Sequence, residues 1–283
     1  MIFLGTGAAA GIPNPFCECP VCNNARKVKG KEIRTRSCFL LDEEIMIDLS
    51  ADYLTQCADN DVHLSNVKHI LFTHTHDDHL NHTFLWERYI STQKPDNPVN
   101  VYLVEDAYKY IEDFYSNSPI INDPEKRLAK ENCLSHKLEF NKTIKINDYS
   151  ITPLKARHRG VYESNGANYL IEKDGMKLYY ALDSGYFFDE TFDALKDKNL
   201  DIFIGECTAT RHNFLTKQDT HMDLDLCVEN LNHLYELNAI NKNTKVYLSH
   251  FGDYDYNHEQ LVEYFNSLEL PYEVIIAYDG LKI

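Results

Sequence analysis

The feature that most constrains this chain is a run of imidazole and carboxylate groups near residue 74. The letters FTHTHDDHL occupy residues 72–80, directly after the largely apolar segment 67–72, which has the character of a buried strand. Imidazole nitrogen and carboxylate oxygen are the ligands that zinc and similar divalent cations take in proteins. The spacing His-x-His-x-Asp-His therefore predicts a metal site where this strand opens into a loop.

The candidate ligands in this segment are His74, His76, Asp78 and His79. A short turn cannot bring all of these side chains to one ion without severe strain, so we expect them to serve two adjacent ions. A pair of ions activates water and holds both the attacking and the leaving oxygen of a displacement reaction. The pattern thus predicts a two-metal hydrolase in which Asp78 is needed for turnover.

Length and composition are those of one folded unit. The chain has 283 residues, enough to bury a sizeable core without disulfide bonds. It has no repeats, no low-complexity tract and no linker rich in Pro, Gly or Ser, so we predict a single domain over residues 1–283.

The charge of the chain limits its partners. It has 28 Lys and Arg against 44 Asp and Glu, and the formal net charge of -16 repels polyanions, so we expect no nucleic-acid polymer. A small anionic substrate stays compatible, because a local metal pair outweighs a distant surface charge. The absence of a long apolar run and of a signal peptide predicts a cytoplasmic protein with no membrane partner. A homodimer is compatible with the sequence.

Apolar runs with strand character alternate with segments of helical spacing over most of the chain. The predicted strands are 1–4, 37–41, 44–48, 69–73, 99–103, 149–154, 168–173, 177–183, 200–206, 246–249 and 272–277, and the predicted helices are 52–60, 83–91, 105–116, 189–196, 223–237 and 259–268. This order favours a sandwich of two mixed sheets with helices on the outer faces. The glycines at positions 5, 7 and 11 lack the spacing of a dinucleotide-binding loop, which argues against a nucleotide cofactor.

Further candidate ligands occur downstream. They are His158, Asp183 and His250, each at or just beyond the carboxyl end of a predicted strand. Side chains in such positions are held by a rigid sheet, which accurate metal coordination requires. We therefore expect them to join the first cluster.

The ordered set of ligands resembles that of the metallo-β-lactamase superfamily. The resemblance extends from the opening Leu4-Gly5-Thr6-Gly7, through Asp48, to the closing Tyr278-Asp279-Gly280. It implies an αββα sandwich, in agreement with the order of predicted elements. It also implies that His74, His76 and His158 hold one ion, that Asp78, His79 and His250 hold the other, and that Asp183 bridges the two.

The cysteines are unevenly distributed. Cys17, Cys19 and Cys22 form a Cys-x-Cys-x-x-Cys cluster, and the remaining cysteines are solitary. In a chain without a secretion signal, such clustering indicates metal binding rather than disulfides. With the segment RTRSC at residues 34–38, the cluster resembles the superfamily branch of the phosphoribosyl cyclic phosphate phosphodiesterases.

In that branch such cysteines hold a structural zinc that a histidine completes. The corresponding position here is Asp253, and zinc accepts a carboxylate oxygen. The resemblance therefore implies a structural zinc on the three cysteines and Asp253. A fourth ligand from His258 or another loop, and a cluster without zinc, are the alternatives.

A second feature of that branch is the segment His221-Met222-Asp223 before a predicted helix. In the phosphodiesterases, and in the related transfer-RNA 3′-processing nucleases, a histidine in this context lies near the leaving group. The resemblance implies that His221 is a general acid that donates a proton to the departing alkoxide. Asp223 either orients the site or caps the helix.

Four arginines are candidates for binding substrate phosphate, because guanidinium matches phosphate oxygens in a bidentate manner. They are Arg34, Arg36, Arg157 and Arg159, of which the last two flank His158. The prediction as a whole is a phosphodiesterase that hydrolyses a small cyclic, ribosyl or nucleotide-like diester. Ligand identity does not distinguish Zn, Mn or Fe as the active-site metal.

Other functions stay open. The pyrroloquinoline quinone synthesis protein B also resembles this chain, including an early Cys-x-Cys-x-x-Cys, but those proteins tend to carry a degraded histidine motif, which is intact here. A lactone or ester hydrolase would use the same two-metal chemistry. A non-catalytic metal-binding module, such as a sensor, is the alternative of a different class.

Overall fold

A computed structural model describes residues 1–93, 98–117, 132–210, 220–253 and 256–283. In these residues the strands form two seven-stranded sheets. The first sheet has the order β14-β1-β2-β3-β4-β5-β6. Its strands are β1 (Ile2–Gly5), β2 (Cys38–Leu40), β3 (Ile45–Leu49), β4 (His69–Phe72), β5 (Val99–Leu103), β6 (Cys133–Lys137) and β14 (Leu281–Lys282). Pairing is antiparallel from β14 to β3 and parallel from β3 to β6.

The second sheet has the order β13-β12-β11-β10-β9-β8-β7. Its strands are β7 (Ile144–Ile146), β8 (Tyr149–Arg159), β9 (Asn165–Lys173), β10 (Met176–Ala181), β11 (Ile202–Glu206), β12 (Lys245–Ser249) and β13 (Glu273–Ile276). Pairing is antiparallel from β7 to β10 and parallel from β10 to β13. Both sheets are therefore mixed, as the sequence predicts.

The described helices are α1 (Pro20–Val28), α2 (Tyr53–Asn60), α3 (Phe84–Ile90), α4 (Glu105–Asn117), α5 (Asp189–Leu195), α6 (Leu224–Glu236) and α7 (His258–Ser267), with short 3-10 turns at Gly30–Glu32 and Leu64–Asn66. Three of them begin with side-chain caps: the Cys19 sulfur accepts from the Cys22 amide, Asp223 accepts from the Leu226 amide, and Asn257 and Gln260 form a capping box. The predicted capping by Asp223 is confirmed.

Three buried apolar clusters correspond to the layers of the sandwich. Between the sheets, Phe39 and Ile47 pack with Tyr169 and Tyr180. A second cluster lies between the second sheet and α5–α7, and a third lies between the first sheet and α2–α4. The αββα prediction is thereby confirmed. None of the helices in the described ranges is long and apolar enough to cross a membrane.

Several details differ from prediction, and strands β6, β7 and β14 are not among the predicted strands. Strand β8 runs through Arg159, so His158 lies within the strand and not after it. Strand β10 ends at Ala181, and Asp183 lies just beyond it instead of ending it. Helix α1 was not predicted, because its polar sequence leaves only Val21, Cys22 and Ala25 buried and its start depends on the Cys19 cap.

Candidate metal centre

The predicted ligands meet at one edge of the sandwich, beyond the carboxyl ends of parallel strands. The loop after β4 carries the motif, the loops after β10 and β12 carry Asp183 and His250, and His158 lies near the end of β8. The motif loop is pressed against β9 at Gly166. A Cβ at this glycine would lie 3.0 Å from both the His74 Cβ and the Thr73 carbonyl oxygen, so only glycine fits without displacement.

His74, His76, His158 and Asp183 form the first group of ligand atoms. His76 Nδ1 lies 3.0 Å from His74 Nε2 and 3.0 Å from His158 Nε2. Asp183 Oδ2 lies 3.1 Å from His74 Nε2 and 3.8 Å from His158 Nε2. All four donor atoms lie within 4.8 Å of one another, as the ligands of one ion must.

Asp78, His79, His250 and again Asp183 form the second group. His79 Nε2 lies 3.2 Å from His250 Nε2 and 3.0 Å from Asp183 Oδ2. Asp78 Oδ2 lies 3.4 Å from His250 Nε2. Asp183 turns its other oxygen, Oδ1, towards His250 Nε2 at 2.9 Å. Its carboxylate therefore faces both groups, which is the arrangement that the sequence resemblance implies.

The donor set fits divalent metal ions. Imidazole nitrogens face one another across about 3 Å in both groups, and Asp183 Oδ1 is buried without a hydrogen bond of acceptable geometry. Atoms arranged in this way converge on a common point instead of pairing with each other. Burial lowers the pKa of His74 and of His158, which favours the neutral imidazole that a metal requires.

Side chains behind the ligands fix their orientation. Asp48 Oδ2 lies 2.7 Å from His79 Nδ1, and Asp48 Oδ1 accepts the Thr73 amide at 2.8 Å. His158 Nδ1 lies 3.0 Å from the Thr220 carbonyl oxygen, and His250 Nδ1 lies 2.9 Å from Thr208 Oγ1. Because each Nδ1 is engaged, each Nε2 is presented to the centre.

Three residues of the centre adopt left-handed backbone conformations that cost energy outside glycine. The φ angles are 58° at Asp48, 47° at Asp183 and 58° at His250. Strain of this kind costs of order 1–3 kcal/mol per residue and persists where function over-determines the geometry. Asp48 is the next-to-last residue of β3, and Asp183 and His250 follow β10 and β12, so all three left-handed residues lie near strand ends.

Glu206 is a site residue that the sequence analysis missed. It ends β11, is fully buried, and its Oε2 lies 3.3 Å from His221 Nδ1 and accepts from Thr208 Oγ1. Its Oε1 accepts the Ser184 amide at 2.6 Å. The available signal was its position at the end of a strand between two ligand-bearing strands, the same signal that pointed to Asp183.

His221 reaches the centre, as predicted. Its Nδ1 lies 3.4 Å from Asp183 Oδ1 and its ring stacks 5.6 Å from that of His250. Burial alone would lower its pKa, but the charges of Glu206 and Asp183 raise the pKa of His221 above its ordinary value. Asp183, Glu206, His221 and His250 also lie close enough to hold an ion. Two of these residues already belong to the second group.

Arg36 lies beside the centre. Its Nε and Nη2 donate to Asp52 at 2.8 and 2.6 Å, which holds the guanidinium in one orientation. This hydrogen-bonded pair raises the pKa of Arg36, and the carboxylates of Asp77 and Asp78 add to the effect. The group is therefore within electrostatic range of the motif loop.

The structure does not bring Arg34 to the cluster. This side chain is buried, and its guanidinium donates to Thr6 Oγ1 and the Ala277 carbonyl, contacts His258 Nδ1 and lies over the Phe251 ring. A phosphate contact from Arg34 would require it to leave this network. The same contact occupies His258, which lies outside the cysteine cluster.

Arg157 and Arg159 flank His158 in sequence but have partners of their own. The Arg157 guanidinium lies 4.3 Å from the centroid of the Phe188 ring, and exposed Arg159 lies 3.4 Å from Glu163. Alternation along a strand points the neighbours of His158 away from the side on which it points. No contact in the described residues links either arginine to the metal ligands.

The cysteine cluster forms as predicted, with Asp253 as its fourth member. Cys22 Sγ lies 3.4 Å from Asp253 Oδ2, and the amides of Cys19 and Cys22 donate to the sulfurs of Cys17 and Cys19, each at 3.4 Å. Three sulfurs and a carboxylate within 4.8 Å are a donor set that zinc accepts.

Comparison with known proteins identifies the family. A model described as a β-lactamase superfamily domain matches residues 43–251, which is well over half of the chain and includes every predicted ligand of the centre. The chain therefore belongs to the metallo-β-lactamase superfamily. Members of this superfamily are generally metal-dependent hydrolases, and the buried His and Asp groups are suited to divalent ions.

Solved structures show the same fold over the whole chain. A diphosphatase from the PhnP family has a TM-score of 0.75 at 21% identity, covering 100% of this chain and 95% of that one. Zn(2+)-bound PqqB from Methylobacterium extorquens has a TM-score of 0.73 at 16% identity, covering 99% and 98%.

A curated relative is the octanoyltransferase of Porphyromonas gingivalis, 24% identical over 164 residues. The match covers 56% of this chain and 30% of that protein, so the chain spans less than a third of the relative's length.

Proposed function

We propose that this protein is a two-metal phosphodiesterase that acts on a small phosphodiester. The observation that carries the proposal is the position of His221. Its Nδ1 faces Glu206 and Asp183, at 3.3 and 3.4 Å, beside the carboxylate shared by both ligand groups. With Nδ1 engaged there, Nε2 is the atom that can give a proton to a leaving oxygen.

Divalent ions in the two groups would supply Lewis acids and activate a water nucleophile at neutral pH. His74, His76 and His158 would hold the first, Asp78, His79 and His250 the second, and Asp183 would bridge them. Zn, Mn and Fe all suit these donors. The negative charge of Glu206, 3.3 Å from His221 Nδ1, favours the imidazolium, which a phosphodiester needs because its leaving group departs as an alkoxide.

Arg36 is the arginine best placed to bind phosphate. Asp52 occupies its Nε and Nη2, and Nη1 has no protein partner among the described residues. A guanidinium fixed in this way loses little side-chain freedom when it binds an oxyanion. We propose that Arg36 contacts the substrate phosphate through Nη1.

The cysteine cluster is proposed to hold a structural zinc. Its site joins the loop after β1 to the residues just beyond His250, two segments far apart in sequence. Zinc there would fix one loop against the other. It would take no part in the reaction.

The proposed substrate is a small molecule and not a nucleic-acid polymer, because the net charge of -16 opposes binding of polyanions. We also propose that the protein acts in the cytoplasm. Lactone or ester hydrolysis, a PqqB-like role in cofactor synthesis and a non-catalytic metal-binding role are the competing functions. Two clustered cations together with Arg36 favour phosphoryl over carbonyl substrates, since a phosphodiester carries a negative charge and an ester does not.

The test is hydrolysis of bis(p-nitrophenyl) phosphate by the purified protein, metal-free and after reconstitution with manganese or zinc. The control substrate is p-nitrophenyl acetate, which has the same leaving group on a carbonyl. We expect metal-dependent turnover of the diester that exceeds any metal-dependent turnover of the acetate. A protein that binds two ions and hydrolyses only the acetate is an esterase, and one that hydrolyses neither is not the proposed enzyme.

A further inference from the structure

A cleft of 630 Å³ lies beside the proposed active site. One wall is the loop of residues 9–16 that follows β1, and the opposite wall includes Arg36 and Asp52. Its volume lies in the range of pockets that bind small organic ligands and exceeds what a phosphate group needs.

The charged end of the cleft adjoins the metal centre. Arg36 lies in the cleft wall and feels the charges of Asp77 and Asp78 in the motif loop. On the other side, the Ala8 amide donates to the Phe251 carbonyl at 2.9 Å, which ties the start of the loop to the residue after His250. A phosphate held between the ions and Arg36 would direct its organic group into this cleft.

The lining of the cleft also includes an exposed aromatic ring. Phe16 is 98% exposed and lines the rim. Its backbone is nevertheless anchored, because the Phe16 amide donates to Asn14 Oδ1 at 3.0 Å and the Asn14 amide donates to Cys22 Sγ at 3.3 Å.

Arg26 fastens the same loop from helix α1. Its Nη2 donates to the carbonyls of Asn14 and Cys17, at 2.8 and 2.7 Å. These hydrogen bonds thus fix the backbone that carries Phe16 at the cleft. An aromatic side chain in the lining of a concave pocket offers an apolar surface to a bound ligand.

We propose that this cleft binds the organic group of the substrate, and that this group carries a nucleobase which stacks on Phe16. The inference rests on the proposed function. The lining combines a guanidinium beside the metal centre with an exposed aromatic ring, and a nucleotide combines a phosphate with a planar base. Phenylalanine is a common stacking partner for bases that are not paired.

The test compares two diesters with the same leaving group, the p-nitrophenyl ester of thymidine 5′-monophosphate and methyl p-nitrophenyl phosphate. Because the reacting bonds are alike, the ratio of their kcat/KM values reports the binding of the nucleoside. We expect a ratio well above one in the reconstituted wild type. Phe16→Ala should lower the ratio about tenfold, equivalent to ~1.4 kcal/mol, through KM, and Phe16→Trp should retain it.

Two further variants separate the cleft from the fold. Ala10 is an exposed lining residue, so Ala10→Trp fills the cleft without disturbing the core and should also lower the ratio. Val28 is 60% exposed on α1, outside the cleft, and Val28→Ala is the control that keeps both rates. A ratio near one in the wild type, or a ratio unchanged in Phe16→Ala and Ala10→Trp, overturns the proposal.

A second measurement, calorimetric binding of thymidine 5′-monophosphate to the metal-loaded protein, tests the cleft independently of hydrolysis. If neither diester is hydrolysed, the phosphodiesterase assignment fails. Binding that Phe16→Ala weakens about tenfold would still support the cleft as a nucleotide site. Binding that is absent, or that is the same in both proteins, would overturn it.

Discussion

At the scale of single residues, the centre depends on hydrogen bonds that fix the orientation of its ligating side chains. Asp48 is the clearest case, because it is buried, contacts His79 Nδ1 and accepts from Thr73. A carboxylate behind a ligating imidazole fixes the tautomer and raises its basicity as a ligand.

We predict that Asp48→Asn weakens one ion of the two. Asparagine has the same shape and tolerates the left-handed backbone found at this position, so the fold should persist. Its amide offers His79 Nδ1–H no acceptor if the carbonyl keeps the Thr73 amide. Affinity for the second ion should fall ~10–100-fold in chelator competition. Two ions bound at wild-type affinity would contradict this reading of Asp48.

His221 gives a second prediction at this scale. If Nε2 protonates the leaving oxygen, His221→Ala should slow a diester with an alkoxide leaving group by ~10²–10⁴-fold. It should slow bis(p-nitrophenyl) phosphate far less, because p-nitrophenolate departs without a proton. The matched control is His63→Ala, since the His63 side chain is 80% exposed and belongs to neither ligand group. Equal losses on both substrates would exclude a general acid.

At the scale of elements, parallel strands explain why ligands distant in sequence meet. β3 to β6 in one sheet and β10 to β13 in the other end at the same edge of the sandwich. Apolar runs placed these strands to within a few residues, so the candidate ligands could be predicted from sequence as lying near strand ends. The burial of Arg34 could not be predicted from sequence, because it depends on contacts with Thr6, Ala277 and His258, which the fold brings together from separate elements.

Glu206 and helix α1 illustrate two other limits of sequence reasoning. Glu206 ends a predicted strand, but one carboxylate at a strand end has no distinguishing spacing, and its role appears only once His221 lies beside it. Helix α1 is polar and short: Val21 and Ala25 pack with Ile12, and Cys22 joins the helix to the cysteine cluster. Sequence patterns therefore predict elements that bury an apolar stripe, and they miss features that depend on a local cluster of polar or ligating side chains.

The prediction at the scale of elements concerns the cluster of Cys17, Cys19, Cys22 and Asp253. Cys22 is buried, and burial raises the pKa of its thiol, so the metal-free cluster should keep this sulfur protonated. Cys22→Ser should remove one zinc per chain in elemental analysis and lower the melting temperature, while the two ions of the centre remain. Cys57→Ser, at a half-buried cysteine elsewhere, is the control. Unchanged zinc content in Cys22→Ser would show that the cluster holds none.

At the scale of the whole molecule, the two sheets are joined at their edge by the ligand groups. His74 and His79 come from the first sheet, and His158, Asp183 and His250 come from the second. Ions bound there should therefore stabilise the sandwich as well as the site.

We predict that chelation lowers the melting temperature and that two equivalents of manganese restore it. Ions that bind only the folded state at a hundredfold above Kd add ~2.7 kcal/mol, on the order of 5–10 °C for a chain of this size. Differential scanning calorimetry measures the shift, with Asp78→Ala as the variant in which it should be smaller. An identical melting temperature with and without ions would mean that the groups do not bind them in the folded protein.

The central claim is that two ions act together on a phosphodiester. The most direct measurement is a titration of the metal-free protein with manganese while bis(p-nitrophenyl) phosphate turnover and bound metal are followed in parallel, for the wild type and Asp78→Ala. The account predicts that activity appears only as the second ion binds, and that Asp78→Ala stays folded without turnover. Full activity with one ion per chain, or turnover retained in Asp78→Ala, would contradict the two-metal mechanism.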